Sequence, residues 1–298
     1  RRVLRQGVKA KYAFMRDHVR EFRLSTMCRV LEVHRSGYYA WLGSPLSERA
    51  KEDMRLLGLI KHSWLASGGV YGQRKVTLDL RDTGETCSKH RVGRLMSAEG
   101  LRAQVGYGKR PRAHGGPVAA VAGNELDRGF HVTQPNRVWV TDITYIRTHE
   151  GWLFLAVVMD LYSRQIVGWA MRSTQETEVV LQALLAAVWR RKPKPGLMLH
   201  SDQGSQFTSE DWQAFLKAHG MVCSMSRRGN CHDNACAESF FQLLKRERIK
   251  RKIYTTKADA RADVFDYIEM FYNPKRRHGS SGNLSPMEFE KRYIESGG

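Results

Sequence analysis

The chain has 298 residues, and its 49 Lys and Arg against 30 Asp and Glu give a formal net charge of +19. A chain of this length can bury a sizeable core and has room for two domains, and so basic a charge favours a polyanionic partner. No apolar run reaches the ~18–20 residues of a membrane span, and no signal peptide is visible. Five scattered cysteines, an odd number, are typical of a reducing cytoplasm and argue against a disulfide framework.

Charge is distributed unevenly along the chain. Residues 1–123 carry 24 Lys and Arg against 10 Asp and Glu, whereas residues 124–298 carry 25 against 20. Since Lys and Arg supply phosphate contacts, the amino-terminal part is the more obvious region for clamping DNA. The acidic residues concentrate in the carboxy-terminal part, where a site built from carboxylates is therefore expected.

The first 45 residues predict three short helices. They cover, in order, residues 11–22, 26–33 and 37–42. Ser25 and Ser36 are positioned to cap the second and third of them. This basic segment is compatible with a helix-turn-helix, but short helices with basic residues are common, so both interpretations stay open.

Three longer helices are predicted next, over residues 46–66, 71–82 and 88–99. The last of them carries Lys89, Arg91 and Arg94, which can donate to phosphates or to guanine edges as a recognition helix does. A solvated basic face would have the same sequence pattern. Both interpretations of this helix remain open on the residues alone.

Residues 103–124 are rich in Gly, Pro and basic side chains and have neither helical nor strand periodicity. This composition indicates a linker. Lys109, Arg110 and Arg112 within it can follow a DNA backbone.

The remainder predicts an α/β domain that starts near residue 125. Strands are predicted over residues 137–147, 152–162, 164–172, 196–200 and 221–225, and helices over 176–191, 209–219, 234–250 and 259–272. Three sequential strands followed by alternating helix and strand match an RNase H-like mixed sheet with flanking helices. Residues 275–278, which are Lys, Arg, Arg and His, are expected to form a basic tail.

Three carboxylates stand out in this second part. Asp142 is the only charge in the apolar strand VWVTDITYI, Asp202 follows the short strand LMLHS, and Glu238 opens an amphipathic helix. Lys245 lies two turns further along that helix, within about 60° of Glu238 when viewed down the axis. Arg227 and Arg228 lie in a predicted loop beside Glu238.

Acids on three separate elements of a basic protein suggest a divalent-metal site that acts on a phosphodiester. Bare carboxylates would repel the anionic substrate and would raise one another's pKa, so a cation is the expected occupant. Mg²⁺, or Mn²⁺ in its place, prefers oxygen ligands, and two such ions can serve an in-line displacement. The alternative is three solvated surface acids.

Two other metal interpretations are weaker. Asp160 lies in a predicted strand, but its place beside a hairpin turn disfavours it as a ligand. Cys231-His232 and Cys236 would form half of a zinc site, and no second Cys/His pair at the required spacing completes it.

The carboxylate spacing, with 59 residues between the first two acids and 35 between the last two, resembles the DDE transposases of the retroviral-integrase superfamily. More narrowly, the chain resembles the OrfB-type transposases of the bacterial insertion-sequence-three family. The resemblance covers nearly the whole chain. The segments that carry it include YGQRKVTLDLRDTG, NRVWVTDITYI, LHSDQGSQFTS, SRRGNCHDNACAESFFQLLKRE and YNPKRRHGSSGNLSP.

The resemblance implies an RNase H-like catalytic core in which Asp142, Asp202 and Glu238 hold two Mg²⁺ or Mn²⁺ ions. It also implies DNA cleavage followed by strand transfer, with Lys245 positioning the terminal phosphate. The expected partners are the element's terminal inverted repeats, target DNA, further copies in a synaptic complex and an upstream OrfA segment, fused or separate. The expected location is the bacterial cytoplasm, in association with the nucleoid.

The predicted organisation has five parts: 1–45, basic and helical; 46–102, helical and DNA-binding; 103–124, linker; 125–290, the integrase catalytic domain; 291–298, tail. Two rival functions remain open. One is a plain RNase H-like nuclease that cuts without joining. The other is a noncatalytic DNA-binding regulator. The carboxylate set favours catalysis, and only a transposase would insert a pre-cut DNA end.

Overall fold

The fold comes from a computed structural model of the chain. It describes residues 6–44, 46–104, 132–226 and 235–297. The chain divides into two compact units, a helical unit of residues 1–66 and 76–102, and a sheet unit of residues 67–75 and 103–298. In the described part of the chain no helix is long and apolar enough to cross a membrane.

The helical unit contains the six predicted helices, and several of them begin or end a few residues away from the predicted positions. The helices are α1 (Val8–Asp17), α2 (Leu24–Leu31), α3 (Arg35–Gly43), α4 (Glu48–Ala66), α5 (Gln73–Asp82), whose first three residues belong to the sheet unit, and α6 (Lys89–Ala98). The caps expected at Ser25 and Ser36 are wrong, because α2 and α3 begin earlier, after Arg23 and His34. The cap of α6 is Ser88, whose hydroxyl accepts from the Arg91 N–H.

The first three helices share a small core of their own. Tyr12 and Met15 of α1 meet Met27 and Leu31 of α2 and Tyr38 of α3, all of them buried. The Tyr12 and Tyr38 rings meet edge to face, with centroids 6.0 Å apart. The basic side chains that the sequence places in this segment lie around this apolar cluster.

The sheet unit contains the predicted mixed five-stranded sheet. Its strands are β1 (Val138–Thr148), β2 (Gly151–Asp160), β3 (Ile166–Arg172), β4 (Met198–Ser201) and β5 (Val222–Met225). Their order across the sheet is β3-β2-β1-β4-β5. The first three form an antiparallel meander, and β4 and β5 lie parallel to β1.

Five helices accompany the sheet in the described residues. They are α7 (Thr177–Arg191), α8 (Glu210–Ala218), α9 (Ala235–Glu247), α10 (Lys257–Phe265) and α11 (Pro286–Glu295). The main core forms where α7 packs on β2 and β3, and it includes Val180 and Leu184 of α7 together with Val158 and Val167 of the two strands. Gly168 of β3 permits this packing, because a Cβ there would lie 2.6 Å from the Ala187 nitrogen.

The carboxy-terminal part differs most from expectation. The single helix predicted over 259–272 is α10 followed by a π-helical segment, Asp266–Tyr272. Helix α11 was not predicted, although Ser285, Pro286 and Glu288 form a capping box with proline at the first helical position. It continues through Glu295, past the expected domain end at residue 290.

The expected basic tail over 275–278 is wrong for Arg276, which is buried. Its guanidinium donates from Nε to Glu247 Oε2 (2.8 Å) and from Nη2 to Glu247 Oε1 (2.6 Å). The Tyr267 hydroxyl also donates to this carboxylate, at 2.8 Å. Although burial opposes ionisation, these donors hold the pKa of Glu247 below its usual range. The pair fixes the carboxy-terminal end of α9.

Candidate active site

The register of two parallel strands brings Asp142 level with Asp202. Val140 of β1 pairs with His200 of β4. Asp142 and Asp202 each lie two residues beyond that pair, and Asp202 directly follows the last residue of β4. Asp142 lies within β1, but the β1–β4 ladder ends beside it, so the two carboxylates meet where the short strand β4 stops.

Local backbone amides hold both aspartates. Asp142 Oδ1 accepts from the Ile143 N–H at 2.7 Å, and Asp202 Oδ1 accepts from the Gly204 N–H at 3.0 Å. The second bond forms a tight Asx turn at the end of β4. Gln203 in this turn is engaged elsewhere, since its Nε2 donates to the Ser226 carbonyl at 2.9 Å.

Helix α9 supplies Glu238 from its first turn and Lys245 from its last. The predicted amphipathic pattern is confirmed for Phe240 and Leu244, which are buried, while Glu238 and Lys245 are half-buried on another side. The Glu247–Arg276 pair anchors the same helix two residues after Lys245. The side chains that were predicted to face the substrate therefore stand on a helix fixed by its apolar side and its end.

The electrostatics show that the predicted groups act on one another. The pKa of Asp142 is raised to about 8, first by burial, then by the negative charge of Asp202 and to a lesser extent by that of Glu238. The Ile143 N–H and the Lys245 ammonium oppose this shift. Burial also raises the pKa of Asp202. The structure thus brings the three carboxylates and Lys245 into one electrostatic neighbourhood.

The pKa of Lys245 is also shifted by the surroundings of the site. Burial lowers its pKa, the positive charge of Lys250 lowers it further, and the carboxylate of Asp142 raises it. A half-buried ammonium beside carboxylates is well placed to attract one oxygen of a phosphodiester.

The donor set fits a hard divalent cation. Within the described ranges, no three His, Cys, Asp and Glu side chains are close enough together to hold one ion. A three-carboxylate cage is not required, however, because Mg²⁺ commonly takes one or two carboxylates and keeps several waters. A bound cation would stabilise the ionised form of Asp142 and Asp202, whose pKa values are raised chiefly by burial. Asp142, Asp202 and Glu238 could hold such ions.

Asp160, which the sequence disfavours as a metal ligand, accepts hydrogen bonds from the surrounding chain. It is fully buried at the end of β2. Its Oδ2 accepts from the Asn136 N–H (2.6 Å) and the Trp139 indole (3.2 Å), and its Oδ1 accepts from the Tyr162 (2.9 Å) and Ser163 (3.2 Å) amides. These bonds close the turn between β2 and β3.

Helix α6 presents only part of its predicted basic surface. Lys89 is exposed. Arg91 and Arg94 both pair with Asp53 of α4, at 2.7 and 2.6 Å. These two arginines therefore join α6 to α4, and their proposed contacts with DNA would require that they leave Asp53 or share it.

The remaining predicted residues lie outside the described part of the chain. They are Lys109, Arg110 and Arg112 of the linker, Arg227 and Arg228 of the loop before α9, and Cys231 and His232 of the weak zinc alternative. Among the described residues, the cysteines Cys28, Cys87, Cys223 and Cys236 form no disulfide.

The sequence interpretation missed two features of this site. One is the Glu247–Arg276 pair, whose members are 29 residues apart and match no local pattern. The other is an exposed aromatic pair, Tyr145 and Trp152, beside Lys245. Large aromatic side chains at exposed positions of β1 and β2 were a signal that could have revealed it.

Three protein families match parts of the chain. Residues 132–231 and 238–294 each match an integrase core domain family, and residues 51–110 match an HTH-like domain family. The first two matches cover the sheet and helices α9 to α11. The third covers α4 to α6.

Similar proteins extend over nearly the whole chain. The transposase InsF for insertion sequence IS3A of Escherichia coli (strain K12) is 41% identical over 289 residues, which is 95% of this chain and 99% of that protein. The insertion element IS600 uncharacterized 31 kDa protein of Shigella sonnei is 38% identical over 267 residues, 90% of this chain and 98% of that protein.

The solved structures that resemble this chain have a lower sequence identity than these two relatives. The HTLV-2 integrase catalytic core domain in complex with magnesium (trimeric form) is 15% identical, with 53% of this chain and 97% of that chain covered and a TM-score of 0.42. The simian T-cell lymphotropic virus intasome in complex with PP2A regulatory subunit B56 gamma is 14% identical, with 74% and 70% covered and a TM-score of 0.45.

Proposed function

Because the chain belongs to the family of IS3 transposases with an integrase core domain, we propose that it cleaves DNA at the ends of an insertion sequence and transfers the cut strand. In this proposal Asp142, Asp202 and Glu238 are the catalytic carboxylates, and two Mg²⁺ or Mn²⁺ ions are the cofactors. The parallel register that sets Asp142 level with Asp202 is the observation that carries it.

The charges of the site support a metal-dependent reaction on an anionic substrate. Three mutually repelling carboxylates would exclude DNA unless cations neutralise them. The bound ions would supply Lewis-acid stabilisation of the phosphodiester and of the attacking and leaving oxygens. Lys245 would hold a non-bridging phosphate oxygen, and the rigid anchoring of α9 would keep Glu238 and Lys245 in place.

The reaction has two displacements at phosphorus. In the first, a water oxygen bonds to the phosphorus at the element's end, the bond to the 3′ oxygen breaks, and that oxygen takes a proton to become a 3′-OH. In the second, this 3′-OH attacks a phosphodiester of the recipient DNA, and the 3′ oxygen of that strand leaves. Neither step requires a covalent protein intermediate.

The wider partners follow from the family and from the charge of the chain. The substrates are the terminal inverted repeats of the element and target DNA, with Lys89 of α6 offering an exposed cation to the backbone. Assembly into a synaptic oligomer, an OrfA segment as fusion or partner, and work in the bacterial cytoplasm at the nucleoid belong to the same proposal.

Labelled DNA carrying candidate element ends tests the proposal, with and without Mg²⁺. We expect Asp142→Asn, Asp202→Asn and Glu238→Gln each to lower strand transfer by at least about a hundredfold, because each removes several kcal/mol of transition-state stabilisation. Asp211→Asn, at an exposed carboxylate of α8, is the matched control and should keep full activity.

A pre-cut oligonucleotide with a free 3′-OH separates the rival functions. Insertion of this end into target DNA supports a transposase. Nicking without joining would identify a nuclease, and equal affinity with and without metal, with no reaction, would identify a regulator. Wild-type strand transfer by Asp202→Asn would overturn the assignment of the site.

A further inference from the structure

Two exposed aromatic side chains lie side by side on neighbouring strands near the candidate active site. In the β1–β2 ladder Arg147 is paired with Trp152, which makes Tyr145 the diagonal neighbour of Trp152. The two rings meet edge to face, with centroids 5.2 Å apart. Tyr145 is 57% exposed and Trp152 48% exposed. Two large rings that form one contiguous exposed surface are typical of a contact site, whereas single exposed rings are common.

A cation accompanies each ring. Lys245 Nζ lies 4.9 Å from the Tyr145 ring centroid, and the Arg147 guanidinium carbon lies 5.9 Å from the Trp152 ring. Both distances are in the cation–π range. We call this group of four side chains, Tyr145, Arg147, Trp152 and Lys245, the aromatic platform. Its positive charge suits a polyanion, and its rings suit a flat apolar group.

Lys245 connects the platform to the reacting groups. Tyr145 follows Asp142 by three residues on β1, so the two side chains leave opposite faces of the strand, and Lys245 is the side chain that acts on both. The ammonium of Lys245 that faces the Tyr145 ring also acts on the Asp142 carboxylate. A nucleotide whose phosphate reached Lys245 would therefore place its base within reach of the two rings.

We propose that the aromatic platform stacks an unpaired nucleobase of the DNA strand whose phosphodiester lies at Asp142 and Lys245. This inference rests on the proposed function, and it specifies the form of the substrate. Exposed rings interleaved with cations are how proteins hold single strands, because every base has a π-face and every phosphate a negative charge. A base inside an intact duplex has both faces covered, so the platform selects a frayed or splayed end.

Binding of a single-stranded oligonucleotide tests the platform apart from catalysis. The full chain is titrated in EDTA, without divalent metal, with DNA that carries 2-aminopurine beside the phosphate to be cut. Stacking quenches this base, so the wild-type chain should quench it. Trp152→Ala and Tyr145→Ala should remove most of the quenching and weaken binding about 5- to 150-fold, the range that one to a few stacking contacts supply.

Variants that retain an aromatic ring distinguish a loss of base stacking from a loss of folding. Trp152→Phe and Tyr145→Phe should retain most of the affinity and the quenching. Trp189→Ala, which removes a 74% exposed tryptophan from α7, is the matched control and should bind as the wild type does. Replacing the probe base by an abasic site should weaken wild-type binding and leave Trp152→Ala binding unchanged.

The outcomes distinguish this inference from the proposed function. If strand transfer is intact and Trp152→Ala binds and quenches as the wild type does, the platform inference is overturned and the function stands. If Trp152→Ala alters sedimentation of the chain but not its DNA affinity, the rings form a protein contact and the inference is again overturned. A wild-type chain that binds no DNA would overturn both.

Discussion

At the scale of single residues, His278 shows how the fold turns part of a basic motif inward, since this histidine is half-buried. It follows Arg276 and Arg277 in the sequence, yet the structure places it against the Tyr272 ring, with centroids 4.9 Å apart. Its Nε2 is buried and has no hydrogen-bond partner among the described residues. Burial lowers its pKa to about 3, and the positive charges of Arg276, Lys75 and Arg164 act in the same direction, against Glu247.

This burial predicts a loss of stability in mild acid. Between pH about 6.5 and 3 the unfolded chain takes up a proton at His278 and the folded chain does not, so the free energy of unfolding falls as pH falls. One such group contributes a slope of at most about 1.4 kcal/mol per pH unit. Urea unfolding at pH 6.5, 5.5 and 4.5 should show a shallower slope for His278→Gln than for the wild type.

Exposed His149 provides the control for this titration. His149→Gln, which removes an imidazole from the protein surface, should unfold with the wild-type dependence on pH. An equal slope for His278→Gln and the wild type would mean that the buried imidazole does not govern acid stability.

The sequence was sufficient to propose the carboxylates of the site, but not the residues that pack around them. The positions of Asp142 and Asp202 at the sheet could be predicted because each lies in or directly after an apolar strand, and their catalytic role stays a prediction. Glu247 and Arg276 could not, because only the packing of α9 shows that they meet. The same holds for Tyr145 and Trp152, whose neighbourhood depends on the β1–β2 register.

At the scale of elements, the closest approach in the main core lies between β3 and α7. A Cβ on Gly168 would lie 2.6 Å from the Ala187 nitrogen and 2.7 Å from its Cβ, and nearer still to the Ala183 carbonyl oxygen. Two of these atoms belong to the backbone, so a rotamer change cannot relieve the contact.

We therefore expect Gly168→Ala to destabilise the sheet unit by about 1–3 kcal/mol or more, since α7 must move away from the sheet. Thermal unfolding followed by circular dichroism measures the effect. Gly279→Ala is the matched control in the same unit, because no atom lies within 4 Å of the added methyl group. Equal melting temperatures for the two variants would contradict this account of the core.

The bounds of elements with a clear hydrophobic pattern were predicted within a few residues. Elements that depend on capping or on tertiary packing were not predicted. Strands β1 and β2 were each placed to within two residues, because most of their residues are apolar, aromatic or β-branched over a length typical of strands. Helix α11 was missed although its capping box is visible in the sequence. The π-helical turn after α10 has no sequence signal of its own.

At the scale of the whole molecule, the uneven distribution of charge along the sequence follows the division of the chain into two units. The amino-terminal residues carry most of the excess positive charge, and the carboxylates of the site belong to the sheet unit. Charge alone could not show which cations are already engaged. Asp53 forms ion pairs with Arg91 and Arg94 of α6. Hydrogen bonds from Arg94 and Arg91 hold the pKa of the Asp53 carboxyl below its usual range.

This difference within α6 predicts unequal effects on DNA binding. Lys89 is exposed, so Lys89→Gln should remove one phosphate contact and lower the slope of log affinity against log salt concentration by about 0.9. Arg91→Gln, at a residue that pairs with Asp53, should change that slope much less. Fluorescence anisotropy with duplex DNA at several salt concentrations measures both slopes on the full chain. A larger change for Arg91→Gln than for Lys89→Gln would show that DNA displaces Asp53, and an unchanged slope for both would place the DNA contact on another surface.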